Sequence, residues 1–500
     1  MKRKLMQDAL SEIHDKHILE AVTYKKRRIL PWVSTAAAVL ALIIGLQFLQ
    51  LPVAVQASAV VLAEPARVDP RPQLEDYSDI EQFRDDTSRW MSEHSRRLDT
   101  AQQAMEQMEP FVRQSMQLFL KDQEENQLFS PVNAYFALAM TAELTAGQTQ
   151  QQLLDALGTG DLETLRTQAS ALWESVYVNS SKEITYRQRT QGSTSEASGN
   201  AYVYVRENQE VITPANSLWL DKSLSYNSRP LTALARHYYA SVYQQDLSGE
   251  QAVKDIQTWL NQNTGGLLED AVSQVQLPEE TIMALYSTIY FRSRWVDEFT
   301  PGNNSHGTFH GTNGNTAATF MNKSFYQTHY YFGKDFGAVA LDLKNGSKMW
   351  FLLPDEGKTL ADILDDSQYL DMITAPEGQW GSRKYMLVNL SVPKFDVQNT
   401  KDLREGLEAM GITHLFDPAA ADFSTALNTP AYMTSANQSV RVTVDEEGVT
   451  AASYVELPAA GTPMPPEELI DFVLDRPFLF VITKGNIPLF AGAINQIHEN

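Results

Sequence analysis

A run of 23 residues without a charged side chain, residues 29–51, is the feature that most limits how this chain can fold. As a helix, the run would rise about 35 Å at about 1.5 Å per residue, enough to cross the hydrocarbon core of a bilayer. A cationic block, residues 25–28, comes directly before it. Such blocks stay in the cytoplasm. We therefore predict a cytoplasmic basic leader over 1–28 and a single-pass transmembrane helix over 29–51, with the rest of the chain on the outer face of the cell membrane.

A cleaved secretory signal is the main alternative for this apolar run, because small residues at 54–59 resemble a cleavage site. The run is longer than the apolar part of a usual signal, and 28 residues precede it, so the sequence favours an anchor. A buried helix of a globular domain is the third alternative. Such a helix is normally amphipathic, whereas this run has no polar stripe.

The remainder of the chain divides into two regions of different composition. Residues 52–108 open with Pro65, Pro70 and Pro72 and then become rich in charged residues and glutamine, which predicts an extracytoplasmic linker or stalk. Part of this region is predicted to be a helix that either lies on the domain or forms a stalk, because apolar residues recur at roughly helical spacing: Ile80, Phe83, Trp90, Met91 and Leu98. Residues 109–500 carry both helix and strand patterns and predict one α+β domain.

Composition and motifs argue against several classes of function. The formal net charge of -22 disfavours nucleic acid as a partner. The chain has no cysteine, and its histidines do not occur at HExxH spacing. There is no GxSxG motif, and Gly357-Lys358-Thr359 is not a phosphate-binding loop, because Leu352 stands where the first glycine is needed. We therefore expect no enzymatic activity, no metal and no cofactor.

Residues 440–464 carry the most informative pattern. Alternate valines, Val440, Val442 and Val444, predict a half-buried strand. A turn is predicted at 445–448, in which Gly448 would be free to take a positive φ angle.

The alternation resumes after this turn in residues 449–457, which could extend some 30 Å at about 3.3 Å per residue. The proline-rich stretch that follows, 458–466, is predicted to be an exposed loop that is open to proteolysis. On pattern alone, the segment is either a permanently paired hairpin or a strand with two states, outside and inside a sheet.

Short motifs throughout the domain resemble those of the serpin family, and they occur in that family's order. The first resembles the family's N-terminal signature and the last its C-terminal signature: 128–132, 137–140, 146–149, 215–219, 351–354, 392–395, 410–412, 421–424, 475–480 and 488–492. Each motif is weakly specific, but the set together is highly specific.

The resemblance implies the serpin fold, with three β-sheets, about eight or nine helices and an exposed reactive-centre loop, preceded here by the transmembrane helix. It identifies the hinge of that loop as Glu446, Glu447, Gly448, Val449, Thr450, Ala451, Ala452 and Ser453. The candidate scissile region is Ala460, Gly461, Thr462 and Pro463, which suggests a target protease that accepts small residues. By the family's mechanism, the protease forms an acyl-enzyme with the loop, and the freed hinge then enters the central sheet and traps the enzyme.

The same resemblance implies five residues that govern opening of the sheet: Ser130, Asn133, Ser287, Trp295 and Gln438. The sequence departs from the family here, since Asn133, Ser287 and Gln438 stand where serine, asparagine and histidine are common. In the hinge, Val449 replaces a usual threonine or serine and Thr450 a common glutamate. Independently of the family, Ser130 is expected to cap the following helix, and Trp295 to be a core aromatic residue.

These patterns together predict a monomeric, membrane-anchored serpin of bacterial type. It would act as a suicide-substrate inhibitor of extracellular serine proteases, with cysteine proteases as a second target class. The alternative is a non-inhibitory binding or structural protein with the serpin fold, in which the changed hinge and the prolines prevent insertion.

Overall fold

The computed structural model describes most of the chain after the predicted anchor: residues 59–66, 72, 77–121, 124–179, 186–189, 202–205, 210–366, 368–375, 379–449 and 468–498. The predicted transmembrane helix at 29–51 and the candidate scissile region lie outside these residues. Within them, no helix is both long enough and apolar enough to span a bilayer.

The described residues form ten α-helices: α1 (Ile80–Leu120), α2 (Pro131–Leu144), α3 (Gly147–Ala156), α4 (Leu162–Val176), α5 (Ser228–His237), α6 (Glu250–Asn263), α7 (Glu269–Ser273), α8 (Leu360–Asp365), α9 (Gln368–Thr374) and α10 (Arg404–Ala409). The prediction of eight or nine helices is therefore slightly too low. Helices such as α7 and α10 span fewer than two turns, which is too short to give a periodic signal.

The long helix α1 crosses the predicted boundary between stalk and domain at residue 108. It begins after Asp79, whose carboxylate accepts a hydrogen bond from the backbone N–H of Glu81 at 2.8 Å. The buried residues of α1 start at Ala101 and continue to Leu120. The stalk and the domain therefore share one continuous helix, whose C-terminal half supplies the buried face.

The strands of the described residues are β1 (Val60–Ala63), β2 (Gln127–Phe129), β3 (Val178–Asn179), β4 (Tyr186–Arg189), β5 (Tyr202–Val205), β6 (Val211–Asp221), β7 (Ala240–Gln245), β8 (Met283–Arg294), β9 (Ser305–Gly311), β10 (Gly314–Phe332), β11 (Phe336–Asp342), β12 (Ser347–Pro354), β13 (Arg383–Pro393), β14 (Phe395–Asp402), β15 (Asn437–Val444), β16 (Gly448–Val449), β17 (Leu469–Val473), β18 (Phe478–Lys484) and β19 (Ile487–Ile494). The chain leaves β13 and enters β14 around Lys394.

These strands form four sheets, where three were predicted. The largest has nine strands, in the order β17-β13-β10-β11-β12-β18-β19-β2, with β9 paired to β10. A six-stranded sheet has the order β1-β7-β6-β8-β16, with β3 paired to β6. Strands β14 and β15 pair with each other alone, as do β4 and β5. The two larger sheets contain most of the strands, and the β14–β15 pair and the β4–β5 hairpin are each separate from them.

Helix α2 lies in the core, where it packs against β8 and β19. Every residue of α2 except Ala137 is buried, which is typical of a helix that is covered on all sides. Pro131 occupies the first turn, where a missing backbone N–H costs no hydrogen bond. Because α2 touches β8 on one side and its start is close to β15, it contacts both the six-stranded sheet and the β14–β15 pair.

Helix α6 packs over β6 and β8 and ends at two glycines in the left-handed region, Gly265 (φ +60°) and Gly266 (φ +76°). Its C-cap is Thr264, whose backbone N–H donates to the carbonyl of Leu260. A Cβ at Gly265 would lie 2.6 Å from the ring of Tyr290 on β8. Glycine therefore allows the end of α6 to lie directly on β8.

Candidate functional site

A gap separates β8 from β15, and it is the candidate functional site. Residues 287–291 of β8 line one wall and residues 439–443 of β15 line the other. Asn133 of α2 lies at the floor, and Thr264, Leu267 and Leu268 lie at the roof. The cavity between the walls has a volume of about 50 Å³ and opens to solvent. Within the described residues, β15 pairs only with β14, and β8 pairs on this side only with β16, so the gap has the chemistry to accept one more strand.

The gap is closed at its upper end by the start of the predicted hinge. Gly448 pairs with Arg294, and Val449, which is buried, pairs with Ser293 in antiparallel register. The predicted turn at 445–448 is present, with the Asp445 carboxylate accepting from the backbone N–H groups of Glu447 and Gly448 at 2.9 and 3.1 Å. In the described residues the return strand therefore pairs with β8, and the permanently paired hairpin with β15 does not form there.

Gly448 is needed at this point for a reason that the sequence did not suggest. Its φ angle is not positive, so the predicted role in a left-handed turn is wrong. Instead, a Cβ at Gly448 would lie 2.3 Å from the carbonyl oxygen of Ser293 and 2.5 Å from Cα of Arg294. A side chain would force the hinge away from β8, so glycine permits the close approach of the two backbones.

Trp295 fixes the turn from below. Its backbone N–H donates to the carbonyl of Glu447 at 3.0 Å, and its indole Nε1 donates to the carbonyl of Asp445 at 2.9 Å. The side chain is buried and meets the ring of Phe299 edge to face. Trp295 is thus a core aromatic residue, as expected, and in addition it bonds directly to the hinge.

Glu446 provides an ionic contact at the same end. Its carboxylate accepts from Lys394 Nζ at 2.9 Å and from Asn304 Nδ2 at 2.5 Å. Burial alone would raise the pKa of Glu446, but the hydrogen bonds from Lys394 and Asn304 outweigh burial and hold this pKa below its ordinary value. The charged form of Glu446 therefore stabilises the closed upper end.

The lower end is held by a different set of contacts, which run to helix α2. Gln438 of β15 accepts from the backbone N–H of Ser130 at 2.8 Å and donates to the carbonyl of Ser130 at 3.0 Å. On the other wall, Asn133 Nδ2 donates to the carbonyl of Ser287 at 3.1 Å, and the Ser287 hydroxyl donates to Asn133 Oδ1. β15 and β8 are therefore both attached to α2, at positions three residues apart.

Ser130 does not cap α2 with its side chain, contrary to expectation. Its hydroxyl donates instead to the carbonyl of Leu489 on β19 at 2.6 Å. The position before Pro131 is that of an N-cap, but burial places the carbonyl of β19 within reach, and this bond replaces the local one. Ser130 therefore fixes the start of α2 to the large sheet.

The family model of serpins, described as serpin (serine protease inhibitor), matches residues 109–497. This match covers more than half of the chain.

The chain belongs to the serpin family.

Known serpins cover most of this chain. Plasminogen activator inhibitor 1 of Sus scrofa is 28% identical over 398 residues, which make up 76% of this chain and 89% of the relative. The native-state crystal structure of the thermophilic serpin Tengpin has a TM-score of 0.66 at 22% identity and covers 88% of this chain and 100% of its own. Thyroxine-binding globulin in complex with thyroxine has a TM-score of 0.61 at 21% identity, with coverages of 78% and 98%. At these identities, the two structures show the fold alone.

Family membership confirms the serpin resemblance and agrees with the expectation that the chain is not an enzyme. Of the predicted serpin site residues, the structure brings Ser130 to Gln438 and Asn133 to Ser287 at the lower end of the gap. Trp295 lies at the upper end with the hinge residues 446–449. The remaining hinge residues, Thr450, Ala451, Ala452 and Ser453, lie outside the described residues, as does the scissile region.

Several contacts of the serpin site were missed by reasoning from the sequence. Lys394 pairs with Glu446, 52 residues later, and Arg441 pairs with Asp396 across the β14–β15 ladder. The alternation in β15 shows that Arg441 faces away from the valines, but no local pattern identifies its partner. Among the described residues, no group of acidic or histidine side chains could hold a metal ion.

Proposed function

We propose that this serpin is a suicide-substrate inhibitor of extracytoplasmic serine proteases and that it is held at the cell membrane by residues 29–51. The observation that carries the inhibitory part is the gap between β8 and β15, with the hinge entering at its closed upper end. A strand added there would complete a ladder between the two walls, since β15, and β8 beyond its pairing with β16, have no partner on this side among the described strands. The residues after Val449 have the alternating pattern that such a strand needs.

In the proposed mechanism, a protease cleaves the loop within residues 460–463 and remains attached as an acyl-enzyme. Cleavage releases the hinge, because the residues after Val449 are no longer held at both ends. The freed segment extends the β8–β16 pairing down the gap and carries the attached protease with it. Ala451 and Ser453 are small residues in the same phase as buried Val449, so they fit an interior position of the sheet.

The test is to incubate the full chain, in detergent, with an elastase-like and a subtilisin-like protease. An inhibitor gives an adduct that survives SDS, and its nicked form gains a large increase in melting temperature, because the inserted strand adds a ladder of hydrogen bonds. Clean cleavage without adduct or thermal gain would refute the inhibitory function. That result would favour the non-inhibitory alternative, which the changed residues Val449 and Thr450 and the prolines at 463, 465 and 466 support.

The proposed attachment to the membrane has its own test. Deletion of residues 29–51 should move the protein from the membrane pellet to the supernatant, whereas a variant that lacks residues 60–66 should still pellet. Continued pelleting of the first variant would contradict the anchor. If the untreated protein runs on a gel as a chain about 57 residues shorter than the full sequence, the cleaved signal is favoured instead.

A further inference from the structure

The connection between α6 and α7 crosses the roof of the gap and is attached on both sides. We call residues 264–268 the strap. On the β8 side, Gly265 lies against the ring of Tyr290. On the β15 side, Arg441 Nη1 donates to the carbonyl oxygen of Leu267 at 3.2 Å. The strap thus joins the two walls that must separate when a strand enters.

Arg441 also makes a second set of bonds, which stay within the β14–β15 pair. Its guanidinium donates to the two carboxylate oxygens of Asp396 on β14 at 2.9 and 2.6 Å, and Thr443 donates to the same carboxylate at 3.0 Å. These bonds raise the pKa of Arg441 further above its ordinary value, and the charge of Asp270 in α7 acts in the same direction. Arg441 therefore stands between an acid on its own side of the gap and a carbonyl and an acid on the other side.

Entry of a strand cannot leave this arrangement intact. Neighbouring strands lie about 4.8 Å apart, so a strand between β8 and β15 needs walls about 9.6 Å apart. The present cavity of about 50 Å³ is too small for a strand, so the walls must move apart. Helix α6 packs on β6 and β8, so the strap moves with β8. A hydrogen bond of 3.2 Å cannot stretch by several ångströms and survive, so the bond from Arg441 to Leu267 must break first.

We propose that Arg441 is a positioning residue that sets the rate of strand insertion by fastening the strap over the gap. This inference rests on the insertion step of the proposed function. Loss of the Arg441 side chain removes an attachment that exists before insertion and is absent after it, so the barrier falls. The Arg441–Asp396 pair lies within the β14–β15 half and does not cross the gap, so its loss alone leaves the strap fastened.

The experiment follows uptake of a labelled synthetic peptide with the sequence of residues 449–457 by the full chain in detergent. Arg441→Gln should take up the peptide about tenfold faster than wild type, which corresponds to about 1.4 kcal/mol of barrier. Asp396→Asn should not be faster, because Arg441 then turns fully to Leu267 and Asp270. The matched control is Arg404→Gln, since Arg404 is exposed and pairs with Glu408 one turn away, and it should equal wild type.

Equal acceleration by Arg441→Gln and Asp396→Asn would overturn the proposal, because Arg441 would then merely brace β14 against β15. Should Arg441→Gln misfold, Asp270→Asn on α7 provides the second variant, and it should accelerate uptake about twofold. Uptake by the wild type without any protease adduct would refute the inhibitory function and leave the strap in place. A wild type and an Arg441→Gln variant that both take up no peptide would overturn the proposed role of Arg441.

Discussion

The two ends of the gap are closed in different ways. At the upper end the two sides touch directly: Gly448 and Val449 pair with β8, and Trp295 and Glu446 bond across the junction. At the lower end, the described residues hold the two sides through α2, with Gln438 of β15 on Ser130 and Ser287 of β8 on Asn133. At the upper end, the walls are in direct contact, and an inserting strand must replace these contacts. We call this contact the seal. At the lower end, the described residues bond each wall to α2 rather than to the other wall, so the walls can move apart there.

This difference suggests that the two ends contribute unequally to the free energy of unfolding. Contacts at the upper end involve a large buried aromatic residue and backbone pairing. Contacts at the lower end are hydrogen bonds to buried backbone groups, whose loss costs the desolvation of those groups. We expect the single largest loss of stability at the upper end, at Trp295. The following predictions test this by urea unfolding of the intact chain.

Trp295→Ala should have the largest effect. It removes a buried indole and the bond to Asp445, so the free energy of unfolding should fall by about 3–5 kcal/mol. Trp295→Phe keeps the apolar bulk and loses the Nε1 bond, and it should lose less than half as much. An alanine variant as stable as wild type would show that the seal does not depend on Trp295.

Gln438→Leu should rank second. Leucine leaves the backbone N–H of Ser130 buried without its partner, whereas the carbonyl keeps its bond from Ala134 N–H, and we expect a loss of about 2 kcal/mol. Gln438→His, the residue common in the family, can satisfy one of these groups and should recover part of the loss. A leucine variant that loses more than Trp295→Ala would reverse the proposed order of the two ends.

Gly448→Val should cost about 1–3 kcal/mol, because a side chain must push the hinge away from the carbonyl of Ser293. Gly302→Val is the control, since a Cβ at Gly302 meets no atom within 4 Å. The valine variant should also show faster amide exchange at Val449, which is buried against β8. Unchanged exchange would mean that the hinge tolerates a side chain without separating from β8.

Glu446→Gln should have the smallest effect at neutral pH, about 1 kcal/mol, because its partner Lys394 is partly exposed. Since folding lowers the pKa of Glu446, the wild type gains this stability above the ordinary carboxyl pKa of 4.5 and loses it as the pH falls through the lowered pKa. The difference between wild type and variant should therefore vanish in acid. A difference that persists in acid would contradict this role of the Glu446 charge.

Local patterns in the sequence predicted those parts of the site that are set by neighbouring residues. The alternation of Val440 to Val444 gave a strand, and the Ser130-Pro131 pair gave the start of α2. Contacts between distant segments were beyond such patterns. Whether Gly448 serves a turn or a close approach depends on where β8 lies, and the hydroxyl of Ser130 finds Leu489 because the fold brings β19 to it.

Helix α2 has a consequence for how substitutions in this protein combine. Both walls of the gap hydrogen-bond to its first turn, and Ser130, its N-cap residue, hydrogen-bonds to β19. Because α2 is buried and bonded to both walls, it cannot tilt toward one wall without displacing the other. Changes at Ser130, Asn133 and their two partners should therefore be strongly non-additive, and a defect on one wall is best repaired by a compensating change on the opposite wall.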